Sequence, residues 1–303
     1  MKRLKGAVGL LAFGCLVWWS SIAPAQALEY PATEVERPIL IGPRMFEFDL
    51  QARSLSTRQA FDAEGKVVDT DGAYDLLTAE LLLRYGINAR WEINLVVPYI
   101  TGRIGETSGG SLGDLRAGTR AALILTEAFD LTIGFELSFP SGDSAYHYER
   151  LGDNLQLQNF RTGDPGYNFY PELELRFRGP RLSLRFRAVG IFTTEEEVLF
   201  STIGGFDETL PVDPGDGYRL AAGGYYQIMD SLAAGLFLNY LSLSETRVDG
   251  KGLDDHTMLL ELEPRLLFQF GPDLDLGLGV GIPLAGENSP LAYPVLVEIK
   301  SRF

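Results

Sequence analysis

Cysteine and histidine are almost absent from this 303-residue chain, which contains one cysteine and two histidines. The cysteine is Cys15, so the chain beyond it can form no disulfide and offers no thiolate. His147 and His256 lie in separate polar stretches, and neither belongs to a His-x-Ser pair. Because zinc prefers His and Cys ligands, this composition predicts no metal site, no cofactor and no catalytic residue, and we do not expect an enzyme.

A long apolar run is missing after residue 27, where no stretch approaches the ~18 apolar residues of a membrane helix. The start of the chain differs, because three basic residues precede an uncharged stretch at 6–19 and Ala25-Gln26-Ala27 offers a cleavage site. This pattern predicts a secretory signal peptide over residues 1–27. Since only helices and closed barrels can cross lipid, a membrane-spanning region in the exported chain is expected to be a barrel.

Positive charge is scarce, and the formal net charge of the chain is −15. This acidic balance argues against nucleic-acid binding, which needs a basic surface. Acidic clusters occur near 69–75, 213–217 and 249–255. None of them has the full spacing of a calcium-binding EF-hand loop, so we interpret them as solvated turns.

Alternation of apolar and polar residues is the dominant pattern of the chain. In one clear segment, Trp91, Ile93 and Leu95 alternate with Glu92 and Asn94. Segments of about ten residues with this period are typical of a transmembrane barrel. An Arg or Lys that faces lipid near the middle of the membrane costs ~2–4 kcal/mol, and the central parts of these segments have no charged residue on the apolar face. The predicted strands are 44–53, 75–85, 89–99, 114–125, 129–139, 167–178, 181–192, 218–228, 231–242, 257–270, 273–284 and 293–303.

The connections between these segments alternate between short and long. Tight turns are expected near 86–88, 126–128, 179–180, 229–230 and 271–272, and loops near 54–74, 100–113, 140–166, 193–217, 243–256 and 285–292. The sequence therefore predicts an all-β fold, a transmembrane antiparallel β-barrel of about 12 strands with short periplasmic turns and long extracellular loops.

Three regions follow from this interpretation. Residues 1–27 are the signal peptide, and residues 44–303 form the barrel. Residues 28–43 contain three prolines and are too irregular for a strand; they lie either in the periplasm or in the lumen. Pro171 and Pro264 fall at outward positions, where a proline cannot donate a ladder hydrogen bond, so we expect a bulge or a register shift at each.

The inward positions carry nearly equal numbers of basic and acidic residues. Most basic ones are arginines, whose planar group suits carboxylates, so we expect cross-strand ion pairs that narrow the lumen. The remaining negative charge would then lie at the entrances and favour cations there. The candidate lumen-lining residues are Arg84, Arg90, Glu92, Arg116, Arg120, Glu136, Glu172, Glu174, Arg176, Arg185, Arg187, Arg219, Glu261, Glu263 and Arg265.

In the last segment, Val297, Ile299 and Ser301 alternate with Glu298, Lys300 and Arg302, and the segment ends on Phe303. This ending resembles the closing strand of bacterial outer-membrane β-barrels. The resemblance implies that Phe303 is an assembly signal for the barrel-assembly machinery and that the protein lies in the outer membrane, in contact with outer-membrane lipid.

A second resemblance rests on Arg37-Pro38-Ile39, Phe46-Glu47-Phe48, Val97-Pro98-Tyr99 and Gly113-Asp114-Leu115-Arg116. These stretches are similar to the outer-membrane family named after the meta-cleavage pathway of phenol degradation, often described as transporters. The resemblance implies a channel for passive passage of small solutes, including aromatic or apolar compounds. The alternative is a non-conducting barrel used for structure or for surface interaction through its acidic extracellular loops.

Overall fold

The computed structural model describes residues 31–104, 107–143, 148–151, 154–157, 162–201 and 207–303. Within these residues, twelve long strands form one antiparallel barrel in which each strand pairs with its neighbours in sequence. The barrel strands are β1 Phe46–Phe61, β2 Val67–Asn88, β3 Trp91–Ile104, β4 Leu115–Leu125, β5 Phe129–Phe139, β6 Asn168–Arg178, β7 Leu182–Thr193, β8 Gly217–Met229, β9 Leu232–Leu243, β10 Thr257–Phe270, β11 Leu274–Val280 and β12 Val295–Arg302.

The barrel closes because β1 pairs with both β2 and β12. At the seam, the backbone N–H of Phe46 donates to the Phe303 carbonyl at 3.0 Å, and the reverse bond measures 2.9 Å. The Phe303 ring packs edge-on against Phe48, with 5.6 Å between the ring centres. Closure leaves no strand edge, so the ladder satisfies the backbone groups that lipid could not.

Side chains alternate between an apolar outer face and a polar inner face. On β3, Leu95 is 39% exposed whereas Glu92 is fully buried, and on β5, Phe135 is 43% exposed whereas Asp130 is fully buried. A soluble protein has the opposite arrangement, because it buries apolar side chains and leaves charges in water. A closed barrel with an apolar exterior and polar interior spans a membrane. The described residues contain no helix that is long and apolar enough to cross a membrane.

Aromatic side chains pair on the outer face near both ends of the strands. Phe129 and Phe177 lie 4.9 Å apart between ring centres near one end. Tyr218 and Tyr240 lie 5.7 Å apart near the other. Rings of this kind suit the boundary between lipid and water, because they are apolar in body and, for tyrosine, polar at the tip.

The two ends of the barrel differ in their connections. At the turn end, two or three residues join β2 to β3, β4 to β5, β6 to β7, β8 to β9 and β10 to β11. At the loop end, the connections contain further strands. These are Thr107–Leu112, Tyr148–Leu151, Asn154–Leu157, Glu196–Ser201, Asp207–Asp213, Arg247–Val248, Lys251–Gly252 and Ser289–Pro290.

Several intervals predicted as loops are strand. β1 continues to Phe61 and β2 begins at Val67, so most of the interval 54–74 is a hairpin. After Gly281 the chain continues as the strand Ile282–Glu287, which pairs with β10 and extends three residues beyond the predicted strand end at 284. The apolar alternation ends where the strands leave the lipid, but the backbone ladder continues beyond that point. The sequence pattern therefore locates the membrane-spanning part of each strand rather than its full length.

Pro171 interrupts the ladder without shifting it. The β6–β7 pairing runs through Glu172 and Val189 and resumes at Phe169 and Phe192 in the same register. The ladder lapses locally because proline has no N–H to donate. The expectation of a bulge or a register shift at Pro171 is therefore wrong, because neither occurs in its pairing with β5 or β7.

Near Pro264, β10 is paired with β11 at Arg265 and with the strand Ile282–Glu287 at Leu262, but the two residues between them are paired with neither. A register shift follows at Leu260 and Glu261. The pairing with β9 is continuous through Pro264. The irregularity thus lies on one side of β10, a few residues from the proline.

The outward face gives the first prediction. We expect Leu95→Arg to destabilise the folded barrel by about 2–4 kcal/mol, because Leu95 faces outward near the middle of the predicted membrane-spanning stretch 89–99 and would place a charge in lipid. Val67→Arg is the control, because Val67 is 51% exposed in the hairpin at the loop end. Urea unfolding in lipid vesicles measures both. Equal stabilities of the two variants would contradict the lipid-facing assignment.

Candidate functional site

Residues 31–43, termed the lumenal segment, lie inside the barrel at the turn end. The Arg37 guanidinium pairs with Asp275 of β11 at 2.5 Å. The backbone N–H of Ile39 donates to the Asp130 carboxylate of β5 at 3.2 Å, and that of Ile41 donates to Glu92 of β3 at 2.9 Å. The segment therefore contacts inward side chains on different sides of the wall and crosses the lumen.

Apolar contacts hold the lumenal segment as well. Val35 is buried with inward residues of β8, β9 and β10, namely Tyr225, Ala233, Phe237 and Leu267. Ile39 and Leu40 are buried with Ala122 of β4, and Leu125 packs against them. Large apolar side chains on an inner barrel face are unfavourable in water, and the lumenal segment covers them here. These inward apolar positions are the sequence signal that could have placed residues 31–43 in the lumen.

Buried ion pairs fill the wall around the lumenal segment. Arg120 of β4 contacts Glu92 at 3.1 Å, Glu172 at 3.2 Å and also Glu174. Both Arg176 and Arg185 contact Glu34 of the lumenal segment at 3.2 Å. Removing one member of such a buried set leaves its partners uncompensated, which costs ~3–5 kcal/mol.

The seam between β1 and β12 has its own charged cluster. Arg302 contacts Glu47 at 2.6 Å and Asp275 at 2.8 Å. Arg84 contacts Glu47 from the other side. Lys300 lies 3.0 Å from Glu298. The Asp275 carboxylate therefore contacts both Arg302 of the closing strand and Arg37 of the lumenal segment.

The predicted lumen-lining residues fall into three settings. Arg90 is exposed in the turn between β2 and β3. Another group surrounds or lies level with the lumenal segment and comprises Arg84, Glu92, Arg120, Glu174, Arg176, Arg185, Glu263 and Arg265. The remaining group lies nearer the loop end and comprises Arg116, Glu136, Glu172, Arg187, Arg219 and Glu261.

The lumen nearer the loop end, termed the chamber, is bounded by Glu80, Arg116, Tyr170, Arg187 and Arg219. Exposure differs among its ion pairs, and the Arg116 side chain is 16% exposed while its partner Glu80 is 45% exposed. The Arg187 side chain is 47% exposed, whereas its partner Glu172, 2.6 Å away, is 4% exposed. The same holds on another side of the lumen, where the Arg53 side chain is 37% exposed and its partner Glu261 is 4% exposed. A count of inward charges predicts a neutral wall, but at Arg187 and Arg53 the guanidinium is exposed and the carboxylate is buried.

Asp114, in the Gly113-Asp114-Leu115-Arg116 stretch, fastens the base of the loop between β5 and β6. Its carboxylate accepts backbone N–H bonds from Ser141 at 3.0 Å, Gly142 at 2.9 Å and Asp164 at 2.7 Å. Burial raises the pKa of Asp114, although the N–H groups of Asp164 and Gly142 act in the opposite direction. A Cβ on Gly142 would lie 3.1 Å from the carboxylate, so glycine permits the close approach.

The described residues contain no group of three or more side chains suited to hold a metal ion. His256 lies at the loop end, where its Nε2 is 3.2 Å from Glu287. His147 and parts of the predicted loops 100–113, 140–166 and 193–217 lie outside the described residues, as does the predicted signal peptide.

The fold is similar to that of an outer-membrane channel from Pseudomonas putida F1. The TM-score is 0.69 and the sequence identity 16%, over 92% of this chain and 100% of that channel. The KdgM porin scores 0.47 at 14% identity over 84% of this chain and 99% of the porin. A mutant of the TodX monoaromatic hydrocarbon channel scores 0.48 at 12% identity over 90% of this chain and 92% of that channel. No protein-family model and no curated protein matches the chain.

The fold and the lumen together define the class of protein. The barrel is closed and antiparallel, and it has an even number of strands, an apolar exterior and a charged interior. Single-chain barrels with these properties are the membrane-spanning proteins of bacterial outer membranes. The chain is therefore an outer-membrane β-barrel protein with a porin-like fold.

Asp114 gives the second prediction. We expect Asp114→Ala to loosen the loop base by about 1–3 kcal/mol, because the N–H groups of Gly142 and Asp164 lose their acceptor and that of Ser141 keeps only the Phe139 carbonyl. Hydrogen–deuterium exchange at residues 141, 142 and 164 should accelerate while exchange in β4 and β5 stays slow. Glu197→Ala, at an exposed loop position, is the control. Unchanged exchange in Asp114→Ala would show that the carboxylate does not hold the loop.

Proposed function

We propose that this barrel is a channel for the passive passage of small solutes across the outer membrane. The observation that carries the proposal is the chamber, an inward-facing, water-accessible space lined by charged side chains, with Arg187 and Arg219 exposed to it. A barrel that serves only as a structural wall gains nothing from exposed inward charges. The similarity of its fold to an outer-membrane channel supports the same function.

The lumenal segment limits the flow in this proposal. It fills the turn-end part of the lumen through side-chain and backbone contacts, and its apolar residues Val35 and Leu40 are each 1% exposed. Next to it, the Gly86 carbonyl accepts the N–H of Arg44 at 2.6 Å, and the Gly86 N–H donates to Met45 at 3.0 Å. These bonds fix the chain where it enters β1. Passage then requires either a narrow path beside the segment or a displacement of residues 31–41 about that fixed point.

We further infer that the solutes include compounds with aromatic or apolar parts. The resemblance to the family named after the meta-cleavage pathway of phenol degradation supports this inference. The chamber also has apolar inward side chains, Leu241 and Leu259, on β9 and β10. A wholly polar wall would offer such a compound no favourable contact.

A second candidate function is a non-conducting barrel. The observation that favours it is again the lumenal segment, which is bound by buried ion pairs to opposite sides of the wall. In that case the acidic loop end would carry the function through surface contacts. The conductance of variants distinguishes the two candidates.

The third prediction tests the channel directly. In planar bilayers, we expect small single-channel currents from the full protein and several-fold larger currents from a variant that lacks residues 31–41, because the deletion empties the turn-end lumen. Arg37→Ala should raise the frequency of large openings, since it removes the ion pair with Asp275.

Arg247→Ala is the control for these recordings, because Arg247 is an exposed loop arginine outside the barrel wall. It should conduct like the unaltered protein. Absence of current from both the full protein and the deletion variant, with folding verified by heat-modifiable gel migration, would favour the non-conducting barrel.

A further inference from the structure

Arg219 lies in an unusual row of inward residues. Paired positions across neighbouring strands run from Glu172 on β6 to Val189 on β7, Arg219 on β8, Leu241 on β9 and Leu259 on β10. Directly paired residues of an antiparallel sheet share a face, so all five belong to the lumenal wall. Arg219 thus has an apolar residue on each side, whereas arginines nearer the turn end have carboxylates within reach.

Arg219 is an exposed residue that has no bonded partner among the described residues. The residue is exposed although it faces the lumen. Within the part of the chain that the structure describes, it has no ion pair and no hydrogen bond. An arginine has five N–H donors in a planar fork that fits a carboxylate, so an exposed and unpaired guanidinium in a lumen can receive an anion.

The neighbouring charged residues are already paired. The groups that act electrostatically on Arg219 include Arg116, Tyr170, Glu80 and Arg187. Arg116 contacts Glu80 at 2.9 Å and lies over the Tyr170 ring at 5.8 Å. Arg187 contacts Glu172 at 2.6 Å. Among the described residues, the chamber therefore offers one guanidinium without a partner, which suits an anion with a single carboxylate better than a dianion.

Apolar side chains complete the surroundings of Arg219. Val189 and Leu241 flank it, and Leu259 continues the apolar row. A charged group held beside an apolar surface selects a ligand that is itself charged at one end and apolar at the other.

We propose that the chamber binds a small organic anion with one carboxylate on an apolar, ring-sized body. Arg219 holds the carboxylate, and Val189, Leu241 and Leu259 contact the body. This inference deepens the proposed function by naming the solute class, and it rests on that function for transport but not for binding.

Calorimetric titration of benzoate into the purified, refolded protein tests the site. We expect saturable binding, with benzamide weaker because it lacks the charge and acetate weaker because it lacks the ring. Arg219→Gln should weaken benzoate binding at least ~10-fold, and Arg219→Lys should weaken it less because the charge remains. Arg90→Gln is the matched control, since Arg90 is an exposed arginine in a turn outside the chamber.

The outcomes separate this inference from the proposed function. Benzoate that binds equally to Arg219→Gln and Arg90→Gln, or that does not bind at all, would overturn the site even if the barrel conducts ions. Benzoate that binds through Arg219 to a barrel without conductance would retain the site and overturn the channel. Heat-modifiable migration of each variant verifies folding, and Arg219→Lys provides the second test if Arg219→Gln does not fold.

Discussion

Backbone hydrogen bonding in lipid is the constraint on which the rest of this structure depends. No water is present in the hydrocarbon region, so each N–H and carbonyl must find a partner within the sheet. The chain meets this demand by closing β1 onto β12, where Phe46 and Phe303 exchange backbone bonds. Pro171 and Pro264 are tolerated because each loses pairing with one neighbouring strand and keeps it with the other.

Closure then determines where the charges go. The exterior must be apolar, so the charged residues of the strands face the lumen and have to be compensated there. Arginine is suited to this, since one guanidinium can contact several carboxylates, as Arg120 does. The lumenal segment joins the same network through Arg37 and Glu34. The ion pairs that stabilise the wall therefore also hold the chain that obstructs the lumen.

The lumen is divided along its length by this arrangement. Toward the turn end, the lumenal segment fills part of the interior, where Val35 and Leu40 are each 1% exposed. Toward the loop end, the guanidinium groups of Arg53 and Arg187 are exposed while their carboxylate partners are buried. The acidic surplus of the whole chain thus differs in sign from the surface that a solute would meet beside these arginines. Selectivity depends on the accessible charge rather than on the total charge.

The sequence by itself determined the barrel, because alternation with period two is a local property that lipid on one side and charge on the other impose on each strand. It located β5 and β10 at both boundaries and most others within one or two residues. The sequence pattern did not locate the strand ends beyond the lipid, such as residues 54–61 of β1 and 67–74 of β2, because the ladder there carries no alternating apolar signal. The placement of residues 31–43 and the isolation of Arg219 were decided only by the tertiary structure. The position of the lumenal segment and the isolation of Arg219 both depend on which inward side chains meet across the lumen. Contacts between strands that are distant in sequence produce no periodic pattern in the chain.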